Sequence, residues 1–286
     1  MKQKACQSIK LRRVRILIEE SKSWLRGWPR RYSLSKISPH KIESHWYCVA
    51  EKFTNIKMRK GIEEINANRI SNMKVSCAII NGTKLDPGEI FSLRKVVGEA
   101  TADNGFKPGP VLIRGKLHFT YGGGLCQISS TLFNAALLAN MHILEKHNHS
   151  FDIWGDERFT DLGLDATYVY ALKDLKFRNL LGQPTAILMH VDENELRVCC
   201  RFLAPRRLPY EVSVKTHILK RLKASPSEKR QVSSELKRMK FIDGWIVRTT
   251  RQTQKDDSKI VTYQKTERYK PLVLLLNSEN SDAYEN

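Results

Sequence analysis

A glycine-rich run that ends in a cysteine is the part of this sequence with the most evident chemistry. It reads YGGGLCQISSTL at residues 121–132. Three glycines allow a tight turn, and apolar residues follow at helical spacing: Ile128, Leu132, Ala135, Ala136, Ala139 and Ile143. The pattern predicts a loop and then a helix to about Met141, with Cys126 in its first turn. There the free N–H groups and the helix dipole favour the thiolate, so we predict that Cys126 is a reactive nucleophile.

Two histidines and an aspartate downstream complete the residue set of a thiol site. His147 and His149 lie two apart in a predicted strand at residues 143–154, and Asp165 precedes another predicted strand. A thiolate that attacks a carbonyl needs an imidazole to move the proton and a carboxylate to orient the imidazole. Cys, His and Asp also follow this order in transglutaminase-like and papain-like thiol enzymes. We therefore predict these four residues as catalytic, with His149 preferred to His147 as the base.

Other kinds of site fit these residues less well. Cys126 could simply pack a helix against a sheet, because free cysteines are among the most buried residues. A metal site made of Cys126, His147 and His149 has no evident fourth ligand. The triple glycine is not followed by the Gly-Lys-Ser/Thr of a phosphate-binding loop. The sequence thus indicates neither a metal nor a cofactor. We predict four ligand-binding residues beside the thiol: Gly122, Gly123, Gly124 and Gln127.

Further motifs lie in a fixed order along the chain. They are Arg69, Asn72, LDPGEIFS at 85–92, Val97-Gly98, NGF at 104–106, the glycine–cysteine run, EKHNHS at 145–150, GLDAT at 163–167 and DLKFRN at 174–179. This set covers about half of the chain and resembles the VanW family. The resemblance implies a role in glycopeptide (vancomycin) resistance or in the cell envelope. It carries no settled biochemical activity with it.

Composition bounds the size of the core, the partners and the compartment. The chain has 286 residues, 41% of them hydrophobic, which is enough for a sizeable core. Its formal net charge of +19 favours anionic partners, such as an anionic cell-wall precursor or inner-leaflet lipid. No nucleic-acid-binding motif is found. Six cysteines without a Cys-x-x-Cys pair suit a reducing compartment. With no apolar stretch typical of a signal peptide or a membrane span, we expect a cytoplasmic protein that could bind the inner membrane face.

Pattern and charge divide the chain into three segments. Residues 1–60 form a basic, helical N-terminal segment, residues 61–204 a VanW-like core, and residues 205–286 a basic β-hairpin extension with a polar tail. The tail, from Asn277, is expected to be disordered. In the first segment, an apolar stripe could lie in a membrane interface. We prefer the interpretation that it packs on the protein's own core.

The predicted fold class is α+β, with a mixed or antiparallel sheet packed by helices, one of which starts at the Gly-Gly-Gly-Leu-Cys loop. The predicted elements are a helix at 61–82, a strand–turn–strand at 106–121, a short strand at 168–170, and hairpins at 186–202 and 245–263. Two functions remain open. One is a thiol-dependent enzyme that acts on an amide bond of a peptidoglycan precursor. The other is a non-catalytic ligand-binding module.

Overall fold

The structure is a computed structural model that describes residues 2–25, 31–113, 116–225 and 239–275. The predicted tail from Asn277 lies outside these residues. Five α-helices are found in the described part: α1 (Lys2–Leu25), α2 (Pro39–Glu43), α3 (Glu63–Ile80), α4 (Leu93–Val97) and α5 (Leu125–Leu138). The strands are β1 (Tyr47–Asn55), β2 (Thr83–Leu85), β3 (Ile90–Ser92), β4 (Pro108–Ile113), β5 (Lys116–Tyr121), β6 (His142–Glu145), β7 (Lys176–Arg178), β8 (Thr185–Asp192), β9 (Arg197–Ala204), β10 (Glu211–Leu222), β11 (Met239–Ile242), β12 (Gly244–Lys255), β13 (Ser258–Tyr269) and β14 (Leu272–Leu275).

Every pairing between these strands is antiparallel, so the fold is α+β with antiparallel sheets. The main sheet has the order β1-β9-β8-β2, and a second sheet has the order β10-β12-β13. A smaller sheet, β3-β7-β6, and the pairs β4-β5 and β11-β14 complete the set. The two predicted hairpins are β8-β9 and β12-β13, and the second turns at Asp256, which has a positive φ of 51°. Strand β1, from the N-terminal segment, pairs with β9 of the core.

The helix that follows the glycine loop is buried on all sides. Ile128, Leu132 and Phe133 have no exposed surface and pack in the main core. Two of its buried polar residues, Gln127 and Thr131, make hydrogen bonds to β1 of the main sheet: Thr131 Oγ1 lies 2.7 Å from Thr54 Oγ1. These bonds satisfy buried polar groups, so this face of α5 fixes the helix on the sheet.

Three details of the predicted secondary structure are wrong. Helix α5 ends at Leu138, because Asn140 takes a left-handed conformation (φ 56°), and the predicted stripe residue Ile143 lies on β6 instead. The strand predicted at 143–154 stops at Glu145. The strand predicted at 168–170 is absent among the described residues; there Val169 and Lys173 bridge a tight loop that turns at Ala171 (φ 64°).

Helix α1 leaves its apolar residues exposed, contrary to the core-packing interpretation. Leu11 is 59% exposed, Val14 52% and Leu17 62%. Polar contacts attach the helix to the core instead: Arg12 pairs with Glu99, and Glu20 lies 2.8 Å from Lys95. Among the described residues, no helix combines the length and the apolarity needed to cross a bilayer.

Candidate functional site

Cys126 lies in the first turn of α5, where the glycine loop meets the helix. Gly124 is the residue before the helix and has a φ of 101°, which side-chain-bearing residues rarely adopt. A Cβ there would also lie 3.0 Å from the Met73 side chain and 3.2 Å from the Arg69 carbonyl oxygen of α3. Glycine therefore permits both the turn and the close packing of α3 against the start of α5.

Polar residues of α5 also position the segment that carries Asp165. The Asn134 side chain donates to the Leu164 carbonyl at 2.7 Å, and the Ala166 N–H donates to Ser130 Oγ at 2.8 Å. These bonds hold the residues on both sides of Asp165 against the helix. One turn earlier, the same helix carries the thiol, so a single rigid element fixes both groups.

Cys126, His149 and Asp165 converge at this place. The His149 Nδ1 atom lies 2.6 Å from Asp165 Oδ2, and the His149 backbone N–H donates to the same oxygen at 2.7 Å. The imidazole also interacts with the Cys126 thiol, and each group shifts the pKa of the other. The sulfur also lies 3.5 Å from Thr167 Oγ1 and 3.8 Å from the Tyr168 carbonyl oxygen. This is the geometry in which a carboxylate orients an imidazole toward a thiol.

The pKa values of the three groups are shifted toward an ion pair. Burial by itself would raise the pKa of the Cys126 thiol, but the hydrogen bond and charge of His149 outweigh it and lower the pKa to about 7. Burial would likewise lower the pKa of His149, whereas Asp165 and Cys126 raise it to about 10. The pKa of Asp165 lies below its usual range, because His149 and Lys146 outweigh the effect of burial. Near pH 8 the pair is thiolate and imidazolium.

The other cysteines differ sharply from Cys126. Burial raises the pKa of Cys77 to about 12 and raises that of Cys200 well above the usual value. Burial also raises the pKa values of Cys48 and Cys199. Of the five cysteine side chains that the structure describes, all are free, and Cys126 alone has a lowered pKa. Since the thiolate is the nucleophilic form, Cys126 has the most favourable environment for reaction.

The C-terminal extension stabilises the Asp165 carboxylate. The sequence analysis did not predict this contribution. Tyr269, on β13, donates its hydroxyl to Asp165 Oδ1 and accepts the Gly163 N–H at 2.7 Å. The Lys146 side chain is fully buried and pairs with Glu267, which is also on β13. It adds positive charge near Asp165. Tyr269 and Glu267 lie about a hundred residues from Asp165 in sequence, so no local pattern could have indicated them.

The remaining predicted catalytic residue, His147, lies apart from the thiol. Its Nε2 atom is 3.0 Å from Glu145 Oε1, and its carbonyl oxygen accepts the Thr167 N–H at 2.8 Å. The two histidines do not share one side of a strand, because the backbone after Glu145 leaves the sheet and is bound by side chains and by β13. Lys265 Nζ, for example, donates to the Lys146 carbonyl at 2.6 Å.

The predicted ligand-binding residues divide into two groups. Gly122, Gly124 and Gln127 line the same cavity as Cys126. The Gln127 amide, however, donates to Thr54 Oγ1 at 3.1 Å and to the Asn55 carbonyl at 2.9 Å, which attaches α5 to β1. The Gly123 carbonyl accepts a hydrogen bond from the Asn72 side-chain amide at 3.0 Å. This bond holds the glycine loop against α3.

The cavity in front of the thiol has a volume of about 770 Å³, in the range of small-molecule sites. Cys126 and His149 lie in its wall, and Tyr168 and Trp154 add aromatic surface. Cys126 is partly exposed there, so a ligand can reach the sulfur.

The fold and site define an α+β protein with a cysteine, a histidine and an aspartate at the start of a buried helix. Residues 68–201 match the model of a protein family described as "VanW like protein". The matches support membership of the VanW family for this region of the chain. The matched region contains Cys126, His149 and Asp165 but ends before Tyr269.

Two curated relatives extend this comparison. Over 122 residues, the chain is 35% identical to "Uncharacterized protein YoaR" of Bacillus subtilis (strain 168), which covers 43% of this chain and 39% of YoaR. Over 130 residues, it is 34% identical to "Vancomycin B-type resistance protein VanW" of Enterococcus faecalis (strain ATCC 700802 / V583), which covers 45% of this chain and 47% of that protein. The chain thus spans less than half the length of either relative. No solved structure matches it.

Proposed function

We propose that this protein is a thiol-dependent enzyme that cleaves or transfers an acyl group at an amide bond, with Cys126 as nucleophile. One observation carries the proposal: His149 lies between the Asp165 carboxylate, 2.6 Å away, and the thiol, at the wall of an open cavity. A buried cysteine with a purely structural role would need neither a lowered pKa nor an oriented imidazole beside it.

The residues suffice for a balanced reaction. The Cys126 thiolate attacks the carbonyl carbon, and the π electrons move to the carbonyl oxygen. When the C–N bond breaks, the His149 imidazolium gives its proton to the departing amine and a thioester remains. Water or a second amine then attacks the thioester and gives its proton to His149, and the thiolate departs. Asp165 holds the imidazole and stabilises its positive charge throughout.

The first turn of α5 offers a donor for the oxyanion of this reaction. The N–H groups of Leu125 and Gln127 are bonded to the carbonyls of Gly122 and Gly124. Within the described residues, the Cys126 N–H has no acceptor. A free N–H beside the nucleophile, at the positive end of a helix, is suited to stabilise the charge that develops on the carbonyl oxygen.

The substrate that we propose is a peptidoglycan precursor. One relative is named as a vancomycin B-type resistance protein, and precursors of the cell wall contain the amide bonds that this chemistry requires. The net charge of +19 also favours an anionic substrate.

Acylation of the thiol tests the enzyme proposal. We expect that p-nitrophenyl acetate transfers one acetyl group to Cys126, with a burst of nitrophenol, because an activated thiolate forms a thioester faster than an ordinary thiol. Mass spectrometry of peptides would locate the acetyl group. Cys126→Ser should abolish the burst, and Cys48→Ser, at an exposed thiol with a raised pKa, should retain it. Acetylation of Cys48 in preference to Cys126 would contradict the proposal.

The second function, a non-catalytic ligand-binding module, uses the same cavity and the glycine loop. It needs no activated thiol, so it predicts ordinary reactivity at Cys126. The acylation experiment therefore separates the two functions.

We further propose that α1 attaches the protein to an anionic membrane surface. The helix sequence has seven Lys and Arg against two Glu, and its exposed apolar residues include Leu17 and Ile18. Such a combination is typical of helices that lie in a membrane interface.

Replacement of Leu17 by glutamate is expected to weaken binding to phosphatidylglycerol vesicles about tenfold, because it removes buried apolar area and adds a repelled charge. Vesicle sedimentation at several salt concentrations would measure the change. Leu180→Glu is the matched control: Leu180 is 56% exposed and lies outside α1. If both variants bind as the wild type does, α1 is not the anchor.

A further inference from the structure

The cavity wall beside the thiol has an excess of positive charge. Five basic residues line the cavity, and they are Arg12, Arg15, Lys57, Arg59 and Arg69. Two acidic residues line it, and each is already paired: Glu99 with Arg12, and Glu157 with Lys57 at 3.4 Å. The remaining arginines have no carboxylate within ion-pair distance among the described residues.

Among these arginines, Arg69 gives the strongest indication of an anion-binding site. It projects from α3, whose backbone packs against Gly124 at the start of the thiol helix. Its Nη1 atom donates to the Lys57 carbonyl at 3.1 Å and approaches Asn66 Oδ1 at 3.4 Å, which are both neutral oxygens. These bonds fix the orientation of the guanidinium but leave its charge uncompensated. Burial, and then the charge of Arg59, lower the pKa of Arg69 to about 10, as expected for a cation without a counterion.

Arg59 provides a second oriented guanidinium. Its guanidinium carbon lies 4.1 Å from the ring centre of Trp154, which also lines the cavity. Stacking on an aromatic ring holds the planar group in place and leaves its N–H edge free for a ligand. The charge of Arg59 lowers the pKa of Arg69, so the two cations repel each other, and an anion between them relieves the repulsion.

We propose that Arg59 and Arg69 form a subsite for an oxyanion, a carboxylate or phosphate of the substrate, which holds the substrate while its amide carbonyl lies at Cys126. This proposal rests on the proposed function, because it names the class of substrate for the same thiol. Guanidinium groups bind such anions through paired N–H bonds, which fixes orientation as well as position. The substrate class is thus an acyl compound with an anionic group near the bond that reacts.

Two alkylating reagents of nearly equal size test the subsite. Iodoacetate carries a carboxylate where iodoacetamide carries a neutral amide. The measurement is made at pH 8.5, where the Cys126 thiolate predominates. There the ratio of the iodoacetate rate to the iodoacetamide rate at Cys126 measures the electrostatic potential in the cavity. In Arg69→Gln we expect this ratio to fall about fivefold, because one uncompensated charge is removed. Because iodoacetamide carries no charge, its rate in each variant is the reference for this ratio.

Three variants make the result specific. Arg69→Lys keeps the charge and should keep the ratio. Arg207→Gln removes an exposed arginine outside the cavity and should change nothing. Protection distinguishes the two anions: N-acetylglycine or inorganic phosphate should slow iodoacetamide at Cys126 in the wild type, and the more effective one identifies the group. That protection should be lost in Arg69→Gln and weakened in Arg69→Lys, which cannot form paired bonds.

Different experimental results would contradict the subsite proposal and the enzyme proposal. An unchanged ratio in folded Arg69→Gln, with no protection by either anion, would overturn the subsite while a low thiol pKa still supports the enzyme. An ordinary thiol pKa in the wild type would instead remove the proposed function on which the subsite rests.

Discussion

Replacement of His149 by alanine is expected to slow the alkylation of Cys126 by iodoacetamide about tenfold at pH 6. In the wild type the thiol pKa is lowered to about 7 by His149, against an ordinary value of 9.0. Without the imidazole, the pKa returns at least to the ordinary value, and the thiolate fraction at pH 6 falls about 100-fold. A more basic thiolate is about tenfold more nucleophilic, which offsets part of this loss.

The pH dependence gives the sharper measurement. The rate of the wild type should rise with pH and level off above pH 7, whereas that of His149→Ala should still rise beyond pH 9. Rates at Cys126 would be followed by mass spectrometry of the alkylated peptide. His147→Ala is the matched control, because His147 contacts Glu145 and not the thiol, and it should keep the wild-type curve. If His147→Ala shifts the curve and His149→Ala does not, the base is misassigned.

Replacement of Asp165 by asparagine is expected to lower the free energy of unfolding by about 3 kcal/mol, as for other broken buried ion pairs. The Asp165 side chain is 10% exposed and accepts bonds from His149 and from the Tyr269 hydroxyl. An amide cannot replace a carboxylate toward these donors, and it leaves the nearby Lys146 with less compensation. The thiol pKa should rise as well, because His149 loses the charge that keeps it protonated.

The pH dependence of the free energy of unfolding in acid distinguishes the loss of the Asp165 charge from a simple loss of packing. The pKa of Asp165 is lower in the folded protein than its ordinary value of 3.8. Its contribution to stability is therefore present above about pH 4 and is lost as the pH falls through the folded-state pKa. Urea unfolding of both proteins should show a difference that is constant between about pH 4 and pH 6 and shrinks below pH 4. Asp161→Asn, at an exposed aspartate of the same loop, should change the stability by less than about 0.5 kcal/mol at any pH.

The sequence alone determined those features that depend on neighbouring residues. Three glycines before an apolar-periodic segment specify a turn and a helix start, so the position of Cys126 followed from local backbone preferences. The hairpins β8-β9 and β12-β13 were also local, because short turns join strands of alternating pattern. The order of motifs indicated the family, since it does not depend on the tertiary arrangement.

The tertiary structure decided which distant groups meet the thiol. From the sequence, His147 and His149 were equivalent members of one predicted strand, and only the preference for a core edge separated them. The backbone leaves the sheet after Glu145, because side chains satisfy its polar groups instead of a strand partner: Lys265 donates to the Lys146 carbonyl, and Asp165 accepts the His149 N–H. That departure turns His149 toward Cys126 and His147 toward Glu145.

The partners of Asp165 likewise could not be predicted from the local sequence pattern. Its charge is stabilised by Tyr269 and Lys146, of which one belongs to a strand that the sequence assigned to a separate extension. Helix α5 looked like an apolar helix, yet its Ser130 and Asn134 hold the Asp165 segment by hydrogen bonds. Sequence periodicity reports which face of an element is apolar. It does not report which buried polar group will bond with which, because that depends on long-range packing.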